Sequence, residues 1–163
     1  MKTYRRILCP VDASECSRVA LGEALSLARR FDAALELLNV YQVPAYVQPT
    51  ILVWAAVGPR PLWELAEEQA KTEVERFLAP LALEERARLV LSFEVGDAAT
   101  TILERARQSK PDLVVMGTHG RTGARRVVLG SVAERVVRLA PCPVLVIPMG
   151  ERAAVEASKG ASR

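Results

Sequence analysis

The chain is 163 residues long, half hydrophobic and a quarter charged, with a formal net charge of +3. That size suits one domain around one core, and no apolar run approaches the roughly 20 residues of a membrane-crossing helix. The mild positive charge, with no aromatic residues interleaved among the basic ones, argues against a nucleic-acid partner.

Tyr4 to Pro10 reads as a first strand centred on Ile7-Leu8 and stopped by Pro10. The apolar stretch there is too short for a signal peptide, so a cytoplasmic location is expected. Asp12-Ala13-Ser14 turns the chain into a helix over 17–31, where Val19, Ala20, Ala24, Leu27, Ala28 and Phe31 recur at helical spacing. Ala34 to Tyr41 is a second strand. Gln42 to Pro61 combines four prolines with Tyr46, Ile51, Leu52, Val53 and Trp54. It is too long and too apolar for a solvated loop, so it either folds over the core or is partly mobile, and along the chain as a whole no back-to-back strand pair that would signal a hairpin is evident. Leu62 to Leu81 predicts a helix with a glutamate-rich outer face. Leu89 to Val95 predicts a third strand, with Leu89, Leu91, Phe93 and Val95 on one alternation. Asp97 is placed to cap a helix over 98–108. Leu113 to Met116 is a fourth strand, 131–139 the last helix, and Val144 to Pro148 the last strand. Residues 149–163 are polar, rich in small side chains and expected to be disordered. Strands alternating with helices imply an α/β domain over 1–148 with a parallel, doubly wound sheet.

Three cysteines, Cys9, Cys16 and Cys142, show neither C-x-x-C nor zinc spacing and suit a reducing compartment. Cys9 and Cys142 sit in apolar contexts where packing explains them.

The chemistry concentrates in Met116 to Val132. A buried strand runs into a glycine-rich loop and then a helix start. Gly117 is followed after two residues by Gly120 and after nine more by Gly130-Ser131. Free N–H groups and a partial positive charge at a helix start attract anions. Glycines let backbone approach a ligand closely and turn through positive φ. The set therefore reads as a phosphate cradle. It matches neither the P-loop pattern nor the dinucleotide fingerprint, and no lysine follows the last glycine. Each piece also has a purely structural reading. Ser131 with Glu134 forms the Ser-x-x-Glu pattern of a capping box, and Gly117 and Gly120 can simply turn the chain.

This spacing resembles the nucleotide-binding signature of the universal stress protein family, in its ATP-binding branch. The resemblance extends to Ile7-Leu8-Cys9-Pro10-Val11-Asp12-Ala13-Ser14, to Leu37-Leu38-Asn39-Val40 and to Pro141-Cys142-Pro143-Val144-Leu145-Val146-Ile147-Pro148, in the family's order. It implies a Rossmann-like fold of the adenine-nucleotide alpha-hydrolase type: an open five-stranded parallel sheet of order 3-2-1-4-5 with helices on both faces. In that order a ligand crevice opens between the first and fourth strands at their C-terminal ends. Pro10-Val11-Asp12 and Met116-Gly117-Thr118-His119-Gly120 both fall there.

By the same resemblance, adenine lies near Val11 and Val40, with the Val40 backbone reading its edge. Asp12 stands near the ribose, and Met116 lines the pocket near the sugar. Gly117, Gly120, Arg121, Gly130, Ser131 and Val132 surround the phosphates. Asp12 could equally be an N-cap or an Asx-turn, and Met116 a core residue. Arg121 can offer phosphate a two-pronged donor, whereas Arg125 and Arg126 read as solvated loop charges. His119, the only histidine, is a nearby loop residue without a catalytic role. Mg2+ would be held by phosphates and water, since no carboxylate cage is apparent.

The leading functional expectation is an ATP-binding or other adenine-nucleotide-binding protein of stress response or signalling. Any hydrolysis would be slow or partner-dependent. A slow ATP hydrolase or adenylate-handling enzyme using Asp12, His119 and Arg121 is the alternative, and an interaction module with an empty cradle a third. The resemblance also implies a homodimer through the final strand, where Val144 to Ile147 would otherwise leave an apolar edge. A signalling partner is expected but not identified; no membrane is implied.

Overall fold

The computed structural model of the chain describes residues 3–43, 48, 50–55, 58–118 and 129–148. Among them, Arg6–Val11 (β1), Ala34–Tyr41 (β2), Leu89–Val95 (β5), Leu113–Gly117 (β6) and Val144–Ile147 (β7) form one sheet of order β5-β2-β1-β6-β7. Every pairing in it is parallel. Numbered within this sheet alone, the order is the expected 3-2-1-4-5. Helices Glu15–Phe31 (α1) and Leu62–Leu78 (α2) cover one face, and Ala98–Ser109 (α4) and Ser131–Leu139 (α5) cover the other.

The pleat explains the two-sided core. Ile7, Cys9, Val11, Leu35, Leu37, Leu113 and Val115 point to the α1 and α2 side, where Leu21, Leu25, Val74 and Phe77 meet them. Leu8, Leu38, Val114 and Met116 point to the α4 and α5 side, against Ile102, Leu103, Ala133 and Val136. The central strands are therefore continuous apolar runs, as a sheet covered on both faces requires. Glu36 and Asn39 are the exceptions in β2, Glu36 being the charged one. Its carboxylate is neutralised by Arg105 Nε at 2.6 Å and accepts from Ser92 Oγ at 2.7 Å. Cys9 is fully buried, and burial pushes its thiol up to about 12.

Several boundaries differ from the sequence reading. α1 begins at Glu15, capped by Ser14, and α2 stops at Leu78 rather than Leu81. A short helix, Leu83–Ala87 (α3), fills the connection to β5. In β5 the single alternation fails. Leu89 and Phe93 pack on the core, but Leu91 and Val95 are exposed; β5 is an edge strand, covered less completely than the central strands. The expectation of no hairpin is wrong. Leu52–Ala55 (β3) and Gly58–Pro61 (β4) pair antiparallel. The signal was hidden because the segment lacks an Asn-Gly or Asp-Gly turn and its second strand contains two prolines. Gly58, at φ 107°, opens the return strand in a conformation that favours glycine. The tail after Pro148 lies outside the described residues.

One carboxylate ties the start of β1 to the start of β6. Asp112 Oδ2 accepts from the amides of Arg5 at 2.8 Å and Arg6 at 2.9 Å, and these bonds hold its carboxyl below the usual range. A depressed carboxyl stabilises the folded chain above its unfolded pKa, and that contribution disappears as pH falls through the folded value. Asp112→Asn should therefore melt below wild type at neutral pH. The difference should close as pH is lowered through the carboxylate range, as read by circular dichroism; a gap independent of pH would contradict this linkage.

Candidate functional site

The chain leaves β1 toward one face and β6 toward the other, so a crevice opens between the C-terminal ends of these neighbouring strands. Pro10, Val11, Asp12, Val40, Met116, Gly117, Gly130, Ser131 and Val132 all belong to segments that end or begin at this edge of the sheet. His119, Gly120 and Arg121, with Arg125 and Arg126, lie outside the described residues.

At the end of β1, Asp12 builds a turn. Its Oδ1 accepts from the Ser14 amide at 3.1 Å and from Ser14 Oγ at 2.5 Å. Ser14 is the N-cap of α1, and its hydroxyl accepts from the Ser17 amide at 3.2 Å. Asp12 thus forms an Asx-turn and is not itself the cap. Ala13 between them sits at φ 61°, a left-handed conformation that costs a residue with a Cβ on the order of 1 kcal/mol. Beside it, Asn39 Nδ2 donates to the Val11 carbonyl at 2.9 Å and ties the ends of β1 and β2 together.

Met116 is buried in the second core cluster, and Val40, Leu129 and Val132 pack partly buried against that cluster. They give the crevice an apolar floor on the α4 and α5 side. Gly117 follows, with backbone that is not in the left-handed region, contrary to the expected positive φ. Its role is close packing. A Cβ built there would lie 2.6 Å from Cys16 Sγ and 3.1 Å from the Cys16 carbonyl carbon and oxygen. The next residue, Thr118, donates its amide to the Ile147 carbonyl at 3.1 Å, and its hydroxyl lies 3.7 Å from Cys16 Sγ.

The chain returns at Leu129. The Gly130 amide donates to the Thr118 carbonyl at 2.8 Å, which pins both ends of the intervening segment. Gly130 is the N-cap of α5, with φ −64° and ψ 151°, so it too is outside the left-handed region. It supplies no side-chain cap. Ser131 is the first helical residue, which rules out the capping box with Glu134; the Glu134 amide bonds the Gly130 carbonyl instead. The amides of Ser131, Val132 and Ala133 have no partner among the described residues. Such a helix start carries three donors and the positive end of the helix dipole.

Two features were not foreseen. Arg135, one turn below Ser131, reaches Asp97 Oδ1 at 2.9 Å and joins the upper ends of α4 and α5. Asp97 caps α4 as expected, accepting from the Thr100 amide at 3.0 Å on the same oxygen. The Thr100 bonds, with Arg135 adding its charge, hold the Asp97 carboxyl below its usual range. The other is Cys16, whose contact with Gly117 no sequence pattern announces. Among the described residues, no group of three His, Cys, Asp or Glu side chains could hold a metal, and no helix is long and apolar enough to cross a membrane. A hollow of about 400 Å3 at the opposite edge of the sheet, between α1, α3 and the starts of β2 and β5, is lined by an Arg29–Glu85 ion pair at 3.0 Å. It is remote from the switch in strand order.

Residues 3–148 match the model of the universal stress protein family. The chain belongs to that family. It is 37% identical to the universal stress protein MJ0531 of Methanocaldococcus jannaschii over 147 residues, which are 88% of this chain and 82% of the relative. Among solved structures it is similar to the universal stress protein UspA from Lactobacillus plantarum, with 32% identity, a TM-score of 0.68, and coverage of 90% of this chain and 99% of the other. It shares its fold with a universal stress protein solved in complex with cAMP, at 20% identity and a TM-score of 0.56, covering 90% and 98% of the two chains. Membership in the family agrees with the Rossmann-like sheet order.

The Gly117 contact is open to a direct check. Gly117→Ala should destabilise the fold by about 1–3 kcal/mol through overpacking. Cys16→Ala in the same chain should recover part of that loss, since it removes the sulfur but not the backbone contacts. Additive effects in a double-mutant cycle of denaturant melts would show that the two residues do not meet.

Proposed function

We propose that the protein binds an adenine nucleotide, ATP in the first instance, in the crevice between β1 and β6. The observation that carries this reading is the start of α5. Three amides without a partner among the described residues stand at the switch in strand order, next to an apolar floor of Val40, Met116 and Val132. Phosphates suit the amides, and a flat base suits the floor. A family relative solved with cAMP supports the adenine class.

In this reading, Gly117, Gly120, Gly130, Ser131 and Val132 approach the phosphates by their backbone, with the Ser131 hydroxyl and Arg121 as further donors. Asp12 accepts from the ribose, and Pro10, Val11 and Val40 flank the base, with His119 nearby. Mg2+ would bridge phosphates and water rather than bind a protein cage. The role is that of a cytoplasmic nucleotide-responsive stress or signalling protein, with hydrolysis slow or dependent on a partner. Pairing of the Val144–Ile147 edge with a second copy would give a homodimer.

The diagnostic variant is Gly130→Asp. The backbone at Gly130 is extended, a conformation any residue adopts. A carboxylate there would cap the free amides and repel an anion. Melting temperature should stay level or rise, while affinity for ATP with Mg2+ falls at least tenfold by isothermal titration. Absence of heat from wild type at millimolar ATP, or unchanged affinity in the variant, would overturn the proposal.

A further inference from the structure

The β3–β4 hairpin carries its apolar side outward. Arg60 points to α2, where it pairs with Glu64 at 3.1 Å and Glu68 at 2.6 Å, and Ala55 lines the same hollow against α2. Strand alternation then places Leu52, Trp54, Pro59 and Pro61 together on the other side. Leu52 is 61% exposed and Trp54 83% exposed. A hairpin with its charge turned inward and a tryptophan in solvent inverts the usual pattern, and such a patch calls for a partner.

The two edges of the hairpin are not equivalent. The Leu62 amide donates to the Ile51 carbonyl at 2.9 Å, so Ile51, Val53 and Ala55 use their backbone groups within the hairpin. Leu52 and Trp54 direct theirs outward on the β3 edge. On the β4 edge, the outward positions are Pro59 and Pro61, which have no N–H. One edge can pair with a strand and the other cannot.

We propose that β3 pairs antiparallel with β3 of a second copy of this chain. Centred on Val53, a two-fold axis sets Leu52 opposite Trp54 of the other copy, twice. The outward N–H and C=O groups of both residues then form four hydrogen bonds. Each tryptophan covers the leucine across from it, the aromatic–aliphatic pairing that stabilises antiparallel strands. The β3 strand supplies its own complement in both backbone and side chains, which selects a second copy over a lipid surface or a closing lid. The proline edge stops growth at two hairpins. An aromatic side chain covers about 150–250 Å2, so two tryptophans and two leucines, each already partly covered in its own chain, bury at most on the order of 600 Å2 in total. That is well under a standard interface, so the association is reversible and depends on concentration.

This contact does not use the crevice or the β7 edge, and its test does not depend on nucleotide. Sedimentation velocity of the full chain across micromolar to millimolar concentration should show mass rising in wild type. Trp54→Lys, and Leu52→Pro, which removes an outward N–H and leaves the inner ladder intact, should weaken that rise at least tenfold and leave any β7 dimer in place. Trp63→Phe makes Trp54 the only tryptophan, and its emission should shift to shorter wavelength over the same concentration range. Unchanged mass in both hairpin variants would overturn the proposal. So would a Trp54 shift that follows added ATP or phosphatidylglycerol vesicles with no change in mass, because the hairpin would then be a lid or a membrane contact.

Discussion

The architecture turns on the contact between the first turn of α1 and the end of β6. Cys16 reaches so near Gly117 that no Cβ fits between them. This closeness seats the helix that leaves β1 directly over its neighbour β6, while the chain leaving β6 must go to the opposite face. The crevice exists because these departures diverge. Thr118 then lies against both the Cys16 sulfur and the Ile147 carbonyl, so the chain after β6 sets out from a position bound to β7 and to α1 together.

The helices that start at this edge are finished in different ways. α1 is capped by Ser14 with Asp12 behind it, and α4 by Asp97. α5 has glycine at its cap and no side-chain cap among the described residues, and α2 starts at Leu62 after Pro61 as its N-cap. Backbone donors seldom remain without a partner unless water or a ligand supplies one. The contrast between α1 and α5 on either side of one crevice is the physical ground for placing an anion at α5. Under the proposed reading, Gly130 has a meaning different from conformational freedom: it withholds a capping side chain where a cap would compete with a ligand.

The two cores follow directly from strand composition. β6 is buried throughout its first four residues, and β1 throughout its last five. Runs of that kind need helices on both faces, and the chain places two on each. The hairpin stands apart from this scheme. Its side facing α2 carries Arg60 and its solvent side carries tryptophan and proline, so its pattern makes sense only with something covering it.

The fold class and the five strands and four long helices of the main sheet were legible in the residues, and the family resemblance supplied the strand order that locates the crevice. Strand and helix periods are local, and the glycine spacing with its flanking strand is a compact signal. Asp97 as a cap was legible for the same reason. The hairpin was not, since its turn lacks the usual residues and its register depends on pairing between segments. Nor was the burial of β5: membership of an edge is a property of the sheet, so Leu91 and Val95 share an alternation with Leu89 and Phe93 and still face solvent.

The residues by themselves determined which segments are strands and helices, because periodic burial and capping act over a few positions. They also marked Gly117 and Gly130 as special. Only the tertiary structure decided why. Gly117 is required by a helix more than a hundred positions away in the chain, and Gly130 heads a helix whose first three amides have no partner among the described residues. Such reasons arise from distances between remote segments, which are set when the sheet assembles and its helices divide between its faces.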